Sequence, residues 1–170
     1  MTQLGDAPAP APTLDADLAA AYERLRAGIA ELGSALVAFS GGADSALVAW
    51  VAHDVLGPDR STAVTAVSAS LAGDEHEDCR ALAAEWGLTW TTVATDELAD
   101  PRYVANDGDR CYWCKTALLD AVVPLAAASG SIVVLGVNVD DLGDHRPGQQ
   151  AAAERGALFP LVEAGLSKAM

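Results

Sequence analysis

The chain has 170 residues, a formal net charge of −14 and 51% hydrophobic residues. That length and apolar content suit one domain with a real core and exclude a disordered chain. The acidity argues against DNA or RNA as a partner, because affinity for such polyanions comes largely from Lys and Arg, whereas a small nucleotide needs only local N–H groups and a metal ion.

Residues 1–13, MTQLGDAPAPAPT, alternate Ala and Pro toward their end and predict a disordered or polyproline-like tail. The tail has neither the basic start nor the apolar stretch of a signal peptide. The longest apolar runs fall well short of a bilayer span, so no membrane segment is expected. Leu18, Tyr22, Leu25, Ile29 and Leu32 share one face of a first helix, which Gly33 ends. A buried strand, Ala35–Phe39, runs into Ser40-Gly41-Gly42-Ala43-Asp44-Ser45 and then into a helix over Ala46–Leu56, stopped by Gly57-Pro58. Further elements follow in alternation: a strand over Thr62–Ser68, a helix from Asp74 to Trp86, and a strand over Trp90–Ala94. A polar loop, Thr95–Asp109, leads to a helix over Cys111–Ser129 with a kink expected at Pro124. The last strand, Ile132–Val137, is a continuous apolar run and so is buried on both faces.

Strands alternating with helices predict an α/β fold: a doubly wound parallel sheet with helices on both faces. Ligands bind such sheets where the strand order reverses, which here falls between the first and fourth strands. The glycine turn after the first strand would then face the loop after the fourth, Asn138–Gly148. The turn itself is an anion cradle. Two adjacent glycines bring backbone N–H groups close to a ligand, a helix N-terminus adds more, and Ser40 and Ser45 supply hydroxyls. It suits a di- or triphosphate, and it is not a Walker-type loop, because no Lys-Ser/Thr pair closes it. Asp44 orients the loop or helps hold Mg²⁺. In the opposite loop, Asp140, Asp141 and Asp144 are candidate Mg²⁺ ligands and Arg146 a candidate phosphate contact.

The three cysteines, Cys79, Cys111 and Cys114, are an odd set with one close pair, which points to the reducing cytoplasm. For Cys111 and Cys114 three readings compete: a shared metal or cluster, a redox pair, or two unligated thiols at a helix start. Arg110, Lys115 and the helix dipole are expected to favour thiolates there. Cys79 reads as a plain half-buried residue. His53, His76 and His145 lack partners at metal-ligand spacing. Trp86, Trp90, Tyr112 and Trp113 read first as packing residues.

The run SGGADS at Ser40–Ser45 resembles the PP-loop of ATP pyrophosphatases. RCYWCK at Arg110–Lys115, GVNVDDLGDHRPG at Gly136–Gly148 and EAGLSK at Glu163–Lys168 make the chain similar to the LarE family of ATP-dependent sacrificial sulfur transferases of nickel-pincer cofactor synthesis. The resemblance implies a Rossmann-like fold and an enzyme that adenylates a pyridinium mononucleotide carboxylate, with pyrophosphate release, before sulfur insertion. It implies ATP and Mg²⁺ at Ser40, Gly41, Gly42, Asp44, Ser45, Ser68, Gly136 and Asn138. Asp141 and Asp144 would hold the metal, and Asp44 and Arg146 would serve the reaction. It also implies a [4Fe-4S] cluster on Cys111, Cys114 and a further cysteine, and a tendency to assemble as a homo-oligomer. The family continues beyond the point where this sequence stops. Ser167 is expected to cap a helix whose first turn is Lys168–Met170, and the sulfur-donating region is expected downstream. Two other readings stand beside this one: another PP-loop enzyme, such as a tRNA thiolase or amide synthetase, and a non-catalytic nucleotide-binding protein.

Overall fold

Four parallel strands lie in the order β3–β2–β1–β4, where β1 is Ala35–Ala38, β2 Ser61–Val67, β3 Trp90–Ala94 and β4 Ile132–Leu135. The structure, a computed structural model, describes residues 15–68, 73–105, 108–143 and 147–170. The Ala/Pro tail, Asn106, Asp144, His145 and Arg146 lie outside the described residues. Strand β1 is central, with Val37 in register with Ala63 on one side and Val134 on the other.

Alternation along β1 divides the core in two, because successive side chains point to opposite faces. Ala35, Val37 and Phe39 join α1 (Ala16–Glu31), α2 (Ala43–Leu56) and α3 (Gly73–Glu85) on one face. Leu36 joins Leu119 and Val122 of α5 (Arg110–Ser129) on the other, together with Val133 and Leu135 of β4. Helices on both faces make the sheet doubly wound, as its sequence pattern predicts. The chain leaves β1 toward β2 and β3, then returns past α5 to place β4 on the free side of β1. The strand order therefore reverses between β1 and β4.

Helix α1 buries Ala21, Leu25 and Ile29 at successive four-residue steps, and Asp15 caps it by accepting from the Leu18 N–H at 2.8 Å. Helix α5 runs as one segment through Pro124. By length and composition α5 can cross a bilayer, which the run lengths alone did not suggest. Here its Leu119, Val122 and Ala126 are buried in the second core cluster.

Three short helices were not anticipated: α4 (Pro101–Val104), α6 (Pro147–Glu154) and α7 (Pro160–Ala164). Each is too short to show a helical period. Each begins on a proline, which suits the first helical position because its missing N–H has no intrahelical partner. Single 3-10 turns span Glu97–Ala99 and Val139–Gly143. Arg24 of α1 donates to the Ala164 carbonyl through Nε and Nη2 at 3.0 and 2.8 Å, tying α7 to the helical layer. After α7 the backbone makes one turn, closed by the Met170 N–H on the Ser167 carbonyl at 3.3 Å.

Candidate active site

The PP-loop leaves β1 at Phe39 and enters α2 at Ala43. Gly41 has φ +75°, a conformation that side chains rarely adopt. A Cβ there would also meet Cys79 Sγ at 3.1 Å. Gly42 is the N-cap of α2, and no side chain caps the helix. The amides of its first turn are therefore not held by a capping group. Ser45 Oγ donates to the Gly42 carbonyl at 2.9 Å, accepts from the Ser40 N–H at 3.2 Å and lies 3.2 Å from Ser40 Oγ. This buried hydroxyl braces the loop from within, and exposed Ser40 stands at its rim.

The segment after β4 arrives at the same end of the sheet. A Cβ on Gly136 would lie 2.5 Å from the Ser45 nitrogen and 2.7 Å from both the Asp44 carbonyl carbon and Ser45 Cα. Only glycine lets β4 come this close to the first turn of α2, so Gly136 shapes the crevice by its lack of a side chain. Two residues on, Asn138 is almost wholly buried. Its Nδ2 donates to Asp44 Oδ2 at 3.0 Å, and its Oδ1 accepts from the Asp141 N–H at 3.3 Å. The Asp141 carboxylate in turn accepts from the Asn138 N–H at 3.3 Å. One asparagine thus links the acidic residue of the PP-loop to the acidic loop opposite.

A residue absent from the sequence-derived site completes this network. Lys168 Nζ lies 3.1 Å from Asp141 Oδ1, and its backbone N–H donates to Asp140 Oδ2 at 2.5 Å. The family motif that contains Lys168 was the available signal, but nothing in its spacing places it beside Asp141. At the neighbouring strand end, Ser68 Oγ donates to the buried Glu97 carboxylate at 2.6 Å.

The cysteine pair differs from expectation. Cys111 and Cys114 lie exposed in the first turns of α5. Desolvation pushes the Cys114 thiol above its ordinary range, and the opposing influence of Lys115 does not overcome it. Arg110 is turned toward Tyr103, donating to its hydroxyl at 2.8 Å with the guanidinium 4.7 Å from the ring centroid. A stabilised thiolate is therefore not what Arg110 and Lys115 produce at Cys114. Cys79 is fully buried under the PP-loop rather than half-buried. Among the described residues no three His, Cys, Asp or Glu converge as a metal site. The cluster expectation calls for a third cysteine beside Cys111 and Cys114, and Cys79, under the PP-loop, does not join them. Tyr112 and Trp113 are engaged locally: Tyr112 donates to Glu154 at 2.7 Å, and the Arg102 guanidinium stacks 3.6 Å from the Trp113 centroid.

Strand, glycine loop, helix and the returning acidic loop together define a PP-loop domain of the ATP pyrophosphatase class. Residues 20–103 match the family model described as NAD synthase. The NMN synthetase of Francisella tularensis superposes with a TM-score of 0.65 at 18% identity, covering 88% of this chain and 65% of its own, which shows the shared fold. Pyridinium-3,5-bisthiocarboxylic acid mononucleotide synthase of Lactiplantibacillus plantarum is 38% identical over 154 residues, 90% of this chain and 56% of its own. An uncharacterized protein of Synechocystis sp. is 52% identical over 147 residues, 86% of this chain and 54% of its own. The chain is thus similar to the LarE sulfur transferases and carries a PP-loop region that the NAD synthase family model matches. It spans about half the length of the curated relatives it matches.

Proposed function

We propose that residues 14–170 form the ATP-using part of a sulfur transferase that adenylates a pyridinium mononucleotide carboxylate. The observation that carries this reading is the 38% identity to the mononucleotide synthase across nearly the whole chain. The geometry supports it, because the PP-loop and the acidic loop meet through Asn138. In the proposed reaction a substrate carboxylate oxygen attacks the α-phosphorus of ATP. The bond from that phosphorus to the α–β bridging oxygen breaks, and pyrophosphate leaves. The acyl adenylate then suits displacement of AMP by a sulfur nucleophile to give a thiocarboxylate.

The chain's own residues orient and neutralise. Backbone N–H groups of Gly41, Gly42 and Ala43 face the departing phosphates, and the Ser45 brace keeps them converged. Ser40 offers its hydroxyl at the rim, and Ser68 sits at the end of β2 beside the crevice. Gly136 lets the chain after β4 close against the first turn of α2. Mg²⁺ binds nucleotides through one or two carboxylates besides phosphate and water. Asp44 and Asp141, joined by Asn138, fit that requirement, with Asp144 as a further candidate. When bound, the ion would offset charge on the phosphates. Arg146 and Lys168 are the cations assigned to the phosphate side.

Isotope exchange between pyrophosphate and ATP tests the adenylation half-reaction alone. Exchange that depends on a pyridine mononucleotide carboxylate is the expected result. Exchange equally fast without any carboxylate, or with tRNA or a free amino acid in its place, would refute the assignment.

A further inference from the structure

The PP-loop rests on side chains from two strands and a helix, buried at Thr65 and Cys79 and half-buried at Trp90. Thr65 of β2 is buried, and its Oγ1 donates to the Phe39 carbonyl at 2.8 Å. Phe39 is the residue that leads into the loop. The same oxygen accepts from the Trp90 indole N–H of β3 at 2.9 Å. The Phe39 N–H is held by the Val64 carbonyl at 2.8 Å. From α3, Cys79 places its sulfur directly beneath Gly41, where a Cβ would meet it at 3.1 Å. All of these lie on the α2 and α3 side of the sheet.

An ordinary parallel strand needs no such arrangement, since its carbonyls are satisfied by its neighbours. Here the strand has ended, and a side-chain hydroxyl takes over at the point where the chain turns. Thr65 is doubly committed, as donor to the loop root and acceptor from Trp90. Its rotamer is therefore fixed by two partners, and the loop root by Thr65 in turn. Cys79, hydrogen-bonded to the Thr65 side chain, supplies a small contact under Gly41, the loop residue with positive φ.

We propose that Thr65, Trp90 and Cys79 are positioning residues that set the geometry of the phosphate-binding loop from beneath. They touch no substrate and act through Phe39 and Gly41. The proposal rests on the reading of Ser40–Ser45 as a phosphate cradle. It predicts that the loop loosens selectively when the Thr65 hydroxyl is removed. A carbonyl left without its buried partner no longer pins the turn.

The test uses Thr65→Val, which keeps the shape and removes the hydroxyl, and Thr65→Ser, which restores it. Amide hydrogen exchange of residues 41–43 reports the loop without any ligand, and calorimetry gives the affinity for ATP with Mg²⁺. Thr65→Val should speed exchange at those amides and weaken ATP about tenfold, the scale of one lost buried hydrogen bond. Thr65→Ser should return both to the parent level. Cys79→Met, which thickens the support, should also weaken ATP. Exchange and affinity at the parent level in Thr65→Val would overturn the proposal. So would faster exchange spread evenly over the sheet, which marks a merely structural role. If the parent chain itself fails to bind ATP, the functional reading falls, while the exchange data still decide whether the support exists.

Discussion

Gly42→Ala separates folding from ligand binding at the PP-loop. Gly42 has φ −69° and ψ 153°, which alanine adopts without strain. A Cβ there meets only Ser40 Oγ, at an ordinary 3.6 Å. Two effects on stability oppose each other. Replacing glycine stiffens the unfolded chain and gains about 0.4–1 kcal/mol. Alanine is a poorer N-cap than glycine and loses about 0.5–1 kcal/mol. The net change should stay within about 0.5 kcal/mol, or about 2 °C in Tm for a domain of this size. The methyl group nevertheless stands where phosphate must approach the backbone. Overpacking a rigid contact costs about 1–3 kcal/mol, which is about 5- to 150-fold in Kd. Differential scanning fluorimetry gives the first quantity and calorimetry with ATP and Mg²⁺ the second. An unchanged Tm with unchanged ATP affinity would refute the cradle. A large fall in Tm would refute the loop geometry itself.

Gly136→Ala should behave in the opposite way. Its Cβ would fall 2.5 to 2.7 Å from backbone atoms of Asp44 and Ser45. Backbone cannot yield as a side-chain tip does, so the variant should lose about 2 kcal/mol or more in urea unfolding; a midpoint equal to the parent's would contradict the close approach. Asn138→Ala strips partners from Asp44 and the Asp141 N–H, and should cost about 1–3 kcal/mol together with a weaker affinity for ATP. Retained stability and affinity would show that the two loops do not depend on each other. Cys114 gives a pH signature. Its thiol is raised above the ordinary value of 9.0 by desolvation, so its alkylation by iodoacetamide should reach half-maximal rate only above that pH. Because the folded value is the higher one, the stabilising contribution is present below the unfolded thiol pKa and is lost as pH rises through the folded value. Cys114→Ala should remove that decline, and half-maximal alkylation near neutral pH would contradict the assignment.

The sheet order was legible because each strand carried its own apolar run and each crossover its own helix. Once four parallel strands were assigned, β1 and β4 were expected as neighbours where the strand order reverses; the expectation that the last strand is buried on both faces fails at its first residue, because Ile132 is exposed. The PP-loop was legible for the same reason: its glycines, strand and helix are contiguous. What escaped were the individual contacts that form on folding. Ser45 looked like a phosphate donor, yet its hydroxyl closes the loop onto Gly42. Gly136 looked like a binding residue, and its part is to let two backbones touch. Lys168 comes from a segment about 27 residues after Asp141, and no periodicity connects them. Arg110 and Lys115 flank the cysteines in sequence, but Arg110 faces Tyr103 instead. Adjacent charges in a chain set a thiol's pKa only when their side chains point the same way.

The acidity of the chain and its anion cradle are compatible because they act over different distances. At physiological ionic strength a surface charge is largely screened beyond about 8 Å, so most of the net −14 does not reach the loop. Inside the crevice the relevant groups are few and oriented. The N-terminus of α2 points its amides inward, and Asn138 turns one donor toward Asp44. Lys168 sits on the Asp141 carboxylate and so offsets the acidic residue nearest to the junction of the loops. The same carboxylates that repel a bare triphosphate favour one that carries a divalent ion. On the proposed reading, the site is therefore electrostatically matched to a metal–nucleotide complex.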